Sequence, residues 1–171
     1  VMGLLSDGGV HGMLSHLIAS ITHIAEAGVP VALHLITDGR DVAPSSALGY
    51  LETLESVLPK GSTITTVCGR YYALDRDNRW ERIKKAYHLM VHGHGTSFNT
   101  AIEAISASYE KEITDEFIDP CIIDKDGTIK KAKRSFLNVF NSFVIPLTII
   151  NVNTTNAIIA IILIKILVCV N

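Results

Sequence analysis

The sequence has little cysteine and almost no net charge. Only Cys68, Cys121 and Cys169 occur among its 171 residues, and the formal net charge is −2. Three widely spaced cysteines form neither a disulfide framework nor a CxxC metal pair, which favours a reducing, cytoplasmic setting. The small net charge gives no indication of a nucleic-acid partner. The apolar start Val1–Leu5 is too short for a secretory signal, and its strand-like character predicts that the chain begins inside a larger fold.

Acidic residues are absent from the last quarter of the chain. All 17 lie between Asp7 and Asp126, whereas residues 136–171 are mostly Ile, Asn, Val, Leu, Thr and Phe without a clear strand or helix period. The apolar stretch 157–170 falls short of the ~20 residues of a membrane-spanning helix, so a membrane anchor is the disfavoured alternative. We interpret residues 129–171 as an Ile/Asn-rich tail that is disordered or arises from out-of-frame reading of an AT-rich gene.

Strand-like and helical patterns alternate before this tail. Strands are predicted at Val1–Leu5, Val29–Ile36 and Thr63–Cys68, with a last one within Pro120–Ile123. Helices are predicted at 14–27, from a cap at Ser45 or Ser46 to about 58, at 78–92 and at 100–109. This alternation predicts an α/β fold with a parallel or mostly parallel sheet and flanking helices.

A polar cluster follows each of the first three predicted strands. The clusters are Ser-Asp-Gly-Gly-Val-His at 6–11, Thr-Asp-Gly-Arg-Asp at 37–41, and Gly-Arg-Tyr-Tyr-Ala-Leu-Asp-Arg-Asp-Asn-Arg-Trp at 69–80. The carboxyl ends of parallel strands lie along one edge of a sheet, and ligands bind in the crevice outside it. We therefore expect the three clusters to meet there.

The side chains of these clusters indicate a small anionic ligand that carries hydroxyl groups. Arg40, Arg70 and Arg76 offer planar guanidinium groups suited to carboxylate or phosphate. His11 can donate to a phosphate or transfer a proton near neutral pH. Asp41 does not suit a pure anion site and is better explained as a general base or as the acceptor for a ligand hydroxyl. A small phosphorylated hydroxy acid has all of these features.

Other polar residues of the clusters have structural interpretations. Asp38 is interpreted as a turn residue, and no catalytic or ligand-binding role is assigned to it. For Arg79 two roles are equally consistent with the sequence: contact with the ligand, or an ion pair with an aspartate of its own cluster. Arg82 is expected on a solvated helix face, and Trp80 is expected to anchor its helix against the sheet.

Three histidines close to one another in sequence raise the question of a metal site. His88, His92 and His94 would share a helix end, but no cysteine or carboxylate accompanies them, so their role is left open and no metal ligand is assigned. His34, within the second strand, is expected to form a hydrogen bond inside the fold.

The three clusters closely resemble those of cofactor-independent phosphoglycerate mutases. Gly-Gly-Val-His at 8–11, Asp-Gly-Arg-Asp at 38–41 and the long motif at 69–80 occur in the family's order and spacing, and Thr-Asp-Glu-Phe follows at 114–117. The long third motif is highly specific. The resemblance implies that residues 1–128 are part of the substrate-binding (transferase) domain.

The resemblance also implies an activity, the interconversion of 3-phosphoglycerate and 2-phosphoglycerate in glycolysis. In that family a separate domain holds two metal ions, typically manganese, and a serine nucleophile that takes the phosphoryl group. His11, Arg40, Asp41, Arg70 and Arg76 match substrate-binding positions, and Asp41 also matches the residue that exchanges a proton with the glycerate hydroxyls. Family members are usually monomeric.

The sequence departs from the family pattern in two places. Gly12 and Met13 stand where the family usually has Ser-His after His11, and residues 136–171 replace a later R-x-D-R substrate motif. Nothing in the sequence matches the serine nucleophile or its metal ligands. We therefore expect a truncated mutase that is inactive alone, and the alternative is a non-catalytic phosphoglycerate- or anion-binding remnant of a decayed gene.

Overall fold

The computed structural model describes residues 1–130, so the interpretation of the tail falls almost wholly outside the described residues. The strands are β1 (Met2–Leu5), β2 (Val31–Thr37), β3 (Ser62–Gly69), β4 (Thr96–Ser97) and β5 (Cys121–Ile122). The helices are α1 (Leu14–Glu26), α2 (Ala47–Ser56), α3 (Arg70–Ala73), α4 (Trp80–His92) and α5 (Ala101–Tyr109), and a 3-10 turn spans Asp115–Phe117.

The five strands form one sheet in the order β1-β2-β3-β5-β4. β1, β2 and β3 run parallel, while β5 is antiparallel to β3 and parallel to β4. The predicted α/β fold with a mostly parallel sheet is therefore confirmed. β4 was not predicted because it has only two residues, both exposed, and so carries no apolar pattern.

The first three strands end at the same level of the sheet. Leu5, the last residue of β1, pairs with Thr37, the last residue of β2, and Thr37 pairs with Gly69 at the end of β3. The three loops that follow therefore leave the sheet side by side, as the positions of the polar clusters predict.

Helices cover both faces of the sheet because its strands are apolar on both sides. On one face, Leu33 and Leu35 pack in the same buried cluster as α1, α2 and α5. On the other, Ile36 and Cys68 pack with Leu89 and its neighbours in α4. Each fully buried leucine contributes about 1.5–3 kcal/mol. No helix among residues 1–130 is long and apolar enough to cross a membrane.

Three local predictions about the helices have different outcomes. Trp80 does not anchor α4, because it starts the helix on the outward side and is 72% exposed. Ser46, one of the two predicted cap residues, does occupy the N-cap position of α2, but its side chain makes no capping hydrogen bond and donates to the Ala43 carbonyl. The predicted start of α5 is correct, since Thr100 accepts a hydrogen bond from the Glu103 N–H.

Candidate functional site

The loops after β1 and β2 touch at the carboxyl edge of the sheet. A Cβ atom on Gly8 would lie 2.9 Å from Asp41 Cβ and 3.0 Å from the Asp41 carbonyl oxygen. Any side chain at this position would separate the two loops. The glycine of the first cluster therefore allows the second cluster to approach.

Arg70 is the cation around which the site is built. It begins α3 directly after β3 and is 7% exposed. Its Nη1 donates to Asp38 Oδ1 at 2.5 Å and to Asp41 Oδ2 at 2.7 Å. Burial lowers the pKa of the guanidinium, but the two carboxylates more than offset this effect, and the net pKa is raised. Arg70 is thus a permanent positive charge.

Asp41 and His11 form a pair beside Arg70. His11 Nδ1 lies 2.9 Å from Asp41 Oδ2, and its ring is half-exposed. The hydrogen bond from Arg70, reinforced by His11, holds the pKa of Asp41 below its usual value. Asp41 is therefore ionised at neutral pH, and within residues 1–130 its Oδ1 accepts no hydrogen bond. An oxygen of this kind can receive a ligand hydroxyl.

The structure brings three of the five predicted site residues, His11, Asp41 and Arg70, into direct contact. Within residues 1–130 the side chains of the other two, Arg40 and Arg76, make no hydrogen bond or ion pair with them. Arg40 follows Asp38 in the same loop, and its Nε lies 3.4 Å from Glu116 Oε1, with the side chain 46% exposed. Arg76 is exposed, and its guanidinium makes no hydrogen bond or ion pair within residues 1–130. Contact of Arg76 with a ligand stays a prediction.

Arg82, and not Arg79, forms the ion pair with an aspartate of the third cluster. Within residues 1–130 the Arg79 guanidinium makes no ion pair, and its backbone N–H donates to Asp75 Oδ2 at 2.8 Å; contact of Arg79 with a ligand stays a prediction. Arg82, expected on a solvated face, is half-buried and pairs with Asp75 at 3.0 Å. Its guanidinium also lies 3.9 Å from the centre of the Tyr71 ring. Arg82 reaches Asp75 because the loop folds back over the first turn of α4.

Asp38 was missed as a member of the site. It is 1% exposed and accepts hydrogen bonds from the Ser6 hydroxyl (2.6 Å), Arg70, and the N–H groups of Arg40 and Asp41. Burial raises the pKa of this carboxyl, but these donors outweigh it and the net pKa is lowered. The Asp-Gly pair does indicate a turn, but the residues around it in the sequence do not indicate that the Ser6 and Arg70 side chains bind the Asp38 carboxylate.

Asp115 was likewise missed, although its motif was noted. Its carboxylate is 1% exposed and accepts from the N–H groups of Ser46 (2.9 Å) and Ala47 (3.0 Å) and from the Tyr109 hydroxyl. It therefore supplies the cap of α2 that Ser46 was expected to provide. Burial raises the pKa of Asp115 despite these hydrogen bonds. These hydrogen bonds connect the 3-10 turn to the end of the loop that carries Arg40 and Asp41.

The other histidines lie away from the cluster. The rings of His88, His92 and His94 lie 5.3–5.6 Å apart at the end of α4. No group of three or more His, Cys, Asp or Glu residues within 1–130 could hold a metal ion. His34 is buried and bonded to Thr66 Oγ1 at 3.0 Å, which confirms the predicted internal hydrogen bond.

Arginine, histidine and ionised aspartate at the carboxyl edge of parallel strands define an α/β domain suited to a small anionic ligand with hydroxyl groups. The chain belongs to the BPG-independent phosphoglycerate mutase family. The family model described as "BPG-independent PGAM N-terminus" matches residues 1–141.

Curated relatives and a solved structure support this membership. The chain is 57% identical over 123 residues to the 2,3-bisphosphoglycerate-independent phosphoglycerate mutase of Ruegeria pomeroyi, covering 72% of this chain and 24% of the relative. It is 51% identical over 124 residues to that of Agrobacterium fabrum, covering 72% and 25%. A crystal structure of Leishmania mexicana phosphoglycerate mutase at low cobalt concentration matches with a TM-score of 0.68 at 32% identity, covering 74% of this chain and 25% of that one. The chain thus spans about a quarter of the relatives it matches.

Proposed function

We propose that residues 1–128 form the part of a phosphoglycerate mutase that binds the glycerate portion of 3-phosphoglycerate and 2-phosphoglycerate in cytoplasmic glycolysis. The observation that carries this proposal is the buried Arg70, held between Asp38 and Asp41 with His11 alongside. Family membership makes phosphoglycerate the ligand of choice, and the chain is proposed to act as a monomer.

Asp41 is the proposed proton-exchanging residue of this site. Its Oδ2 is held by Arg70 and His11, so its orientation is fixed before the ligand arrives. Its Oδ1 is then placed to accept the proton of a glycerate hydroxyl. The lowered pKa of Asp41 keeps its carboxylate ionised at neutral pH, so that it is in the form that can accept such a proton.

Charge balance supports a role for Arg76 in binding the anionic groups of the ligand. Arg70 already faces two carboxylates, and Arg40 already faces Glu116. A phosphate group needs cations that acidic neighbours do not neutralise. Within residues 1–130, Arg76 is exposed without an ion pair, so we assign it to the anionic groups of the ligand.

The two manganese ions implied by the family do not fit the residues described. Within 1–130 no group of three or more His, Cys, Asp or Glu residues could hold a metal. The proposed activity of this chain is therefore ligand binding, and phosphoryl transfer is assigned to no residue in it.

A calorimetric titration of the full 171-residue chain with 3-phosphoglycerate tests the proposal. Saturable binding that weakens at least tenfold in Arg76→Ala would support it, with Lys84→Ala as the control that removes a positive charge from an exposed position of α4. A coupled mutase assay with added manganese should show no turnover. Turnover that Asp41→Ala abolishes would overturn the proposed inactivity while supporting the site.

The second candidate is a remnant that folds but no longer binds phosphoglycerate. Gly12 favours it, because the family's serine at this position would add a hydroxyl that this site lacks. A Cβ there would lie 2.9 Å from Leu4 Cβ, so the loop lies too close to β1 to accept a serine at this position without a shift. A folded chain without saturable binding in the same titration would select this candidate.

A further inference from the structure

Asp38 lies at the centre of the site, yet its carboxylate is closed to a ligand. It is 1% exposed, with Oδ2 held by the Ser6 hydroxyl at 2.6 Å. Oδ1 accepts from Arg70 Nη1 at 2.5 Å and from the N–H groups of Arg40 and Asp41 at 3.1 and 3.2 Å. Protein donors thus surround both oxygens. Any effect of Asp38 on a ligand passes through the residues that it holds.

We propose that Asp38 is the positioning residue that keeps Arg70 available to the ligand. A guanidinium has five N–H groups in a fixed fork. Here Nη1 alone spans both carboxylates, Nη2 lies 3.5 Å from His11 Nδ1, and Nε donates to no group within residues 1–130. Asp38 therefore binds only Nη1 of the guanidinium, and the N–H groups of Nη2 and Nε are left to bind an anion. This inference rests on the proposed function and deepens it.

The alternative arrangement of Arg70 shows what Asp38 prevents. Asp41 is the other carboxylate in contact with Arg70, and arginine favours a bidentate pair with a carboxylate. Without the charge of Asp38, Arg70 would turn both N–H groups of one edge toward Asp41. That pair would occupy Asp41 Oδ1 as well as the guanidinium, so both would be lost to the ligand.

A positioning role for Asp38 and simple electrostatics predict opposite changes in ligand affinity when the charge of Asp38 is removed. Removing a negative charge near an anion site should tighten anion binding if only the field matters. If Asp38 acts by positioning Arg70, its removal should weaken binding although the site becomes more positive. The two explanations can be separated by the sign of one measured change.

The test compares Asp38→Asn with Asp7→Asn in the full chain, titrated with 3-phosphoglycerate at neutral pH. Asparagine keeps the shape of the side chain and removes the charge. Asp7 is exposed, adjoins Ser6 and has no side-chain hydrogen bond within residues 1–130. Its variant therefore measures only the effect of removing a negative charge near the site. We expect about tenfold weaker binding in Asp38→Asn and unchanged or slightly tighter binding in Asp7→Asn. Equal tightening in both would overturn the proposal.

A second background separates positioning from a general effect on the fold. Lysine at position 70 has no fork to close on Asp41, so Asp38→Asn should have almost no effect on binding in an Arg70→Lys chain. The same tenfold loss in both backgrounds would show that Asp38 does not act through Arg70, and would overturn the proposal.

Two further measurements keep the proposal testable if binding or folding fails. The side-chain nitrogen resonances of Arg70 in the ligand-free chain should shift between the parent and Asp38→Asn, because the guanidinium changes from bonding through Nη1 alone to a bidentate pair with Asp41, even if the parent binds no phosphoglycerate. If Asp38→Asn does not fold, Ser6→Ala removes one donor to Asp38 without changing charge and should weaken binding about threefold. Unchanged Arg70 resonances together with unchanged binding in Ser6→Ala would overturn the inference.

Discussion

Asp38 and Asp115 are equally buried aspartates with opposite electrostatic behaviour. Each is 1% exposed, and each accepts backbone N–H groups of the segment that runs from the end of β2 to the first residue of α2. Burial raises the pKa of both, but the net pKa is lowered at Asp38 and raised at Asp115. At Asp38 the hydrogen bonds from the Ser6 hydroxyl, the cation Arg70 and two backbone N–H groups outweigh burial, whereas at Asp115 those from Tyr109, Ser46 and Ala47 do not. The donors that face a carboxylate, and not its exposed fraction alone, therefore decide whether the charged form is favoured.

The largest expected effect comes from removing that cation. Arg70→Met should destabilise the chain by about 3–5 kcal/mol, because Asp38 would stay buried without a counter-charge. Urea unfolding at neutral pH measures the loss. Arg76→Met, which changes an exposed arginine of the next loop, is the matched control and should cost less than about 0.5 kcal/mol. A similar small loss in both would contradict the central place given to Arg70.

A smaller effect should follow from separating Asp115 from its loop. Gly39 has φ +67°, and a Cβ there would lie 2.9 Å from Asp115 Cβ and from the Glu116 backbone nitrogen. Gly39→Ala should therefore cost about 2–4 kcal/mol, from left-handed strain and overlap together. Gly28→Ala shares the positive φ (+76°) but faces open space, and should cost about 1–2 kcal/mol. Thermal unfolding of the two variants isolates the overlap, and equal losses would rule it out.

Replacing each carboxyl by its amide sharpens the comparison. At neutral pH, Asp38→Asn should cost about 2 kcal/mol, because Arg70 loses a buried counter-charge, whereas Asp115→Asn should change stability by less than about 1 kcal/mol. The lowered pKa of Asp38 gives stability that is present above the unfolded value of 3.8 and is lost as pH falls through the folded pKa.

The raised pKa of Asp115 has the opposite consequence. Its contribution is present below pH 3.8 and is lost as pH rises through the higher folded pKa. The stability of Asp38→Asn relative to the parent should therefore improve on acidification, and that of Asp115→Asn should decline. Unfolding free energies measured at pH 7 and pH 3 check this, and parallel changes in the two variants would contradict the assignment.

The smallest effect is expected where the two regions meet at the surface. Arg40 and Glu116 lie 3.4 Å apart across the loop and the 3-10 turn, with Arg40 46% exposed. Exposed pairs of this kind contribute about 0–1 kcal/mol. Glu116→Gln should cost less than about 0.5 kcal/mol and lose even that at 1 M salt. A loss above 2 kcal/mol in urea unfolding would mean that this ion pair matters more than its exposure indicates.

The sequence predicts the site residues that follow directly from strand order. His11, Asp41 and Arg70 come soon after three parallel strands, and such strands deliver their loops to one edge. Asp38 and Asp115 could not be assigned in this way, because their donors lie 32 and 69 residues away in Ser6 and Ser46. Periodicity reports which face of an element is buried, but it contains no information on which distant donor reaches a given carboxylate.

The strands and helices show the same limit. β2 was predicted from its apolar run and β3 from its β-branched residues, because strands of seven and eight residues are long enough for composition to indicate them. The two-residue strand β4 and the four-residue helix α3 are too short for any period. Their conformations depend on tertiary neighbours, as the pairing of β4 with β5 shows.

The bonds of Asp115 also set an order of events in folding. They join residues 46 and 47 to residue 115, and Thr37 Oγ1 donates to the Asp115 carbonyl across 78 positions. Such distant contacts carry a high loop-closure cost and form after more local ones. On a ribosome, β1 to β3 can pair while the segment around residue 115 is still unmade. The loop that carries Arg40 and Asp41 therefore reaches its final conformation late in folding, after the three parallel strands have paired.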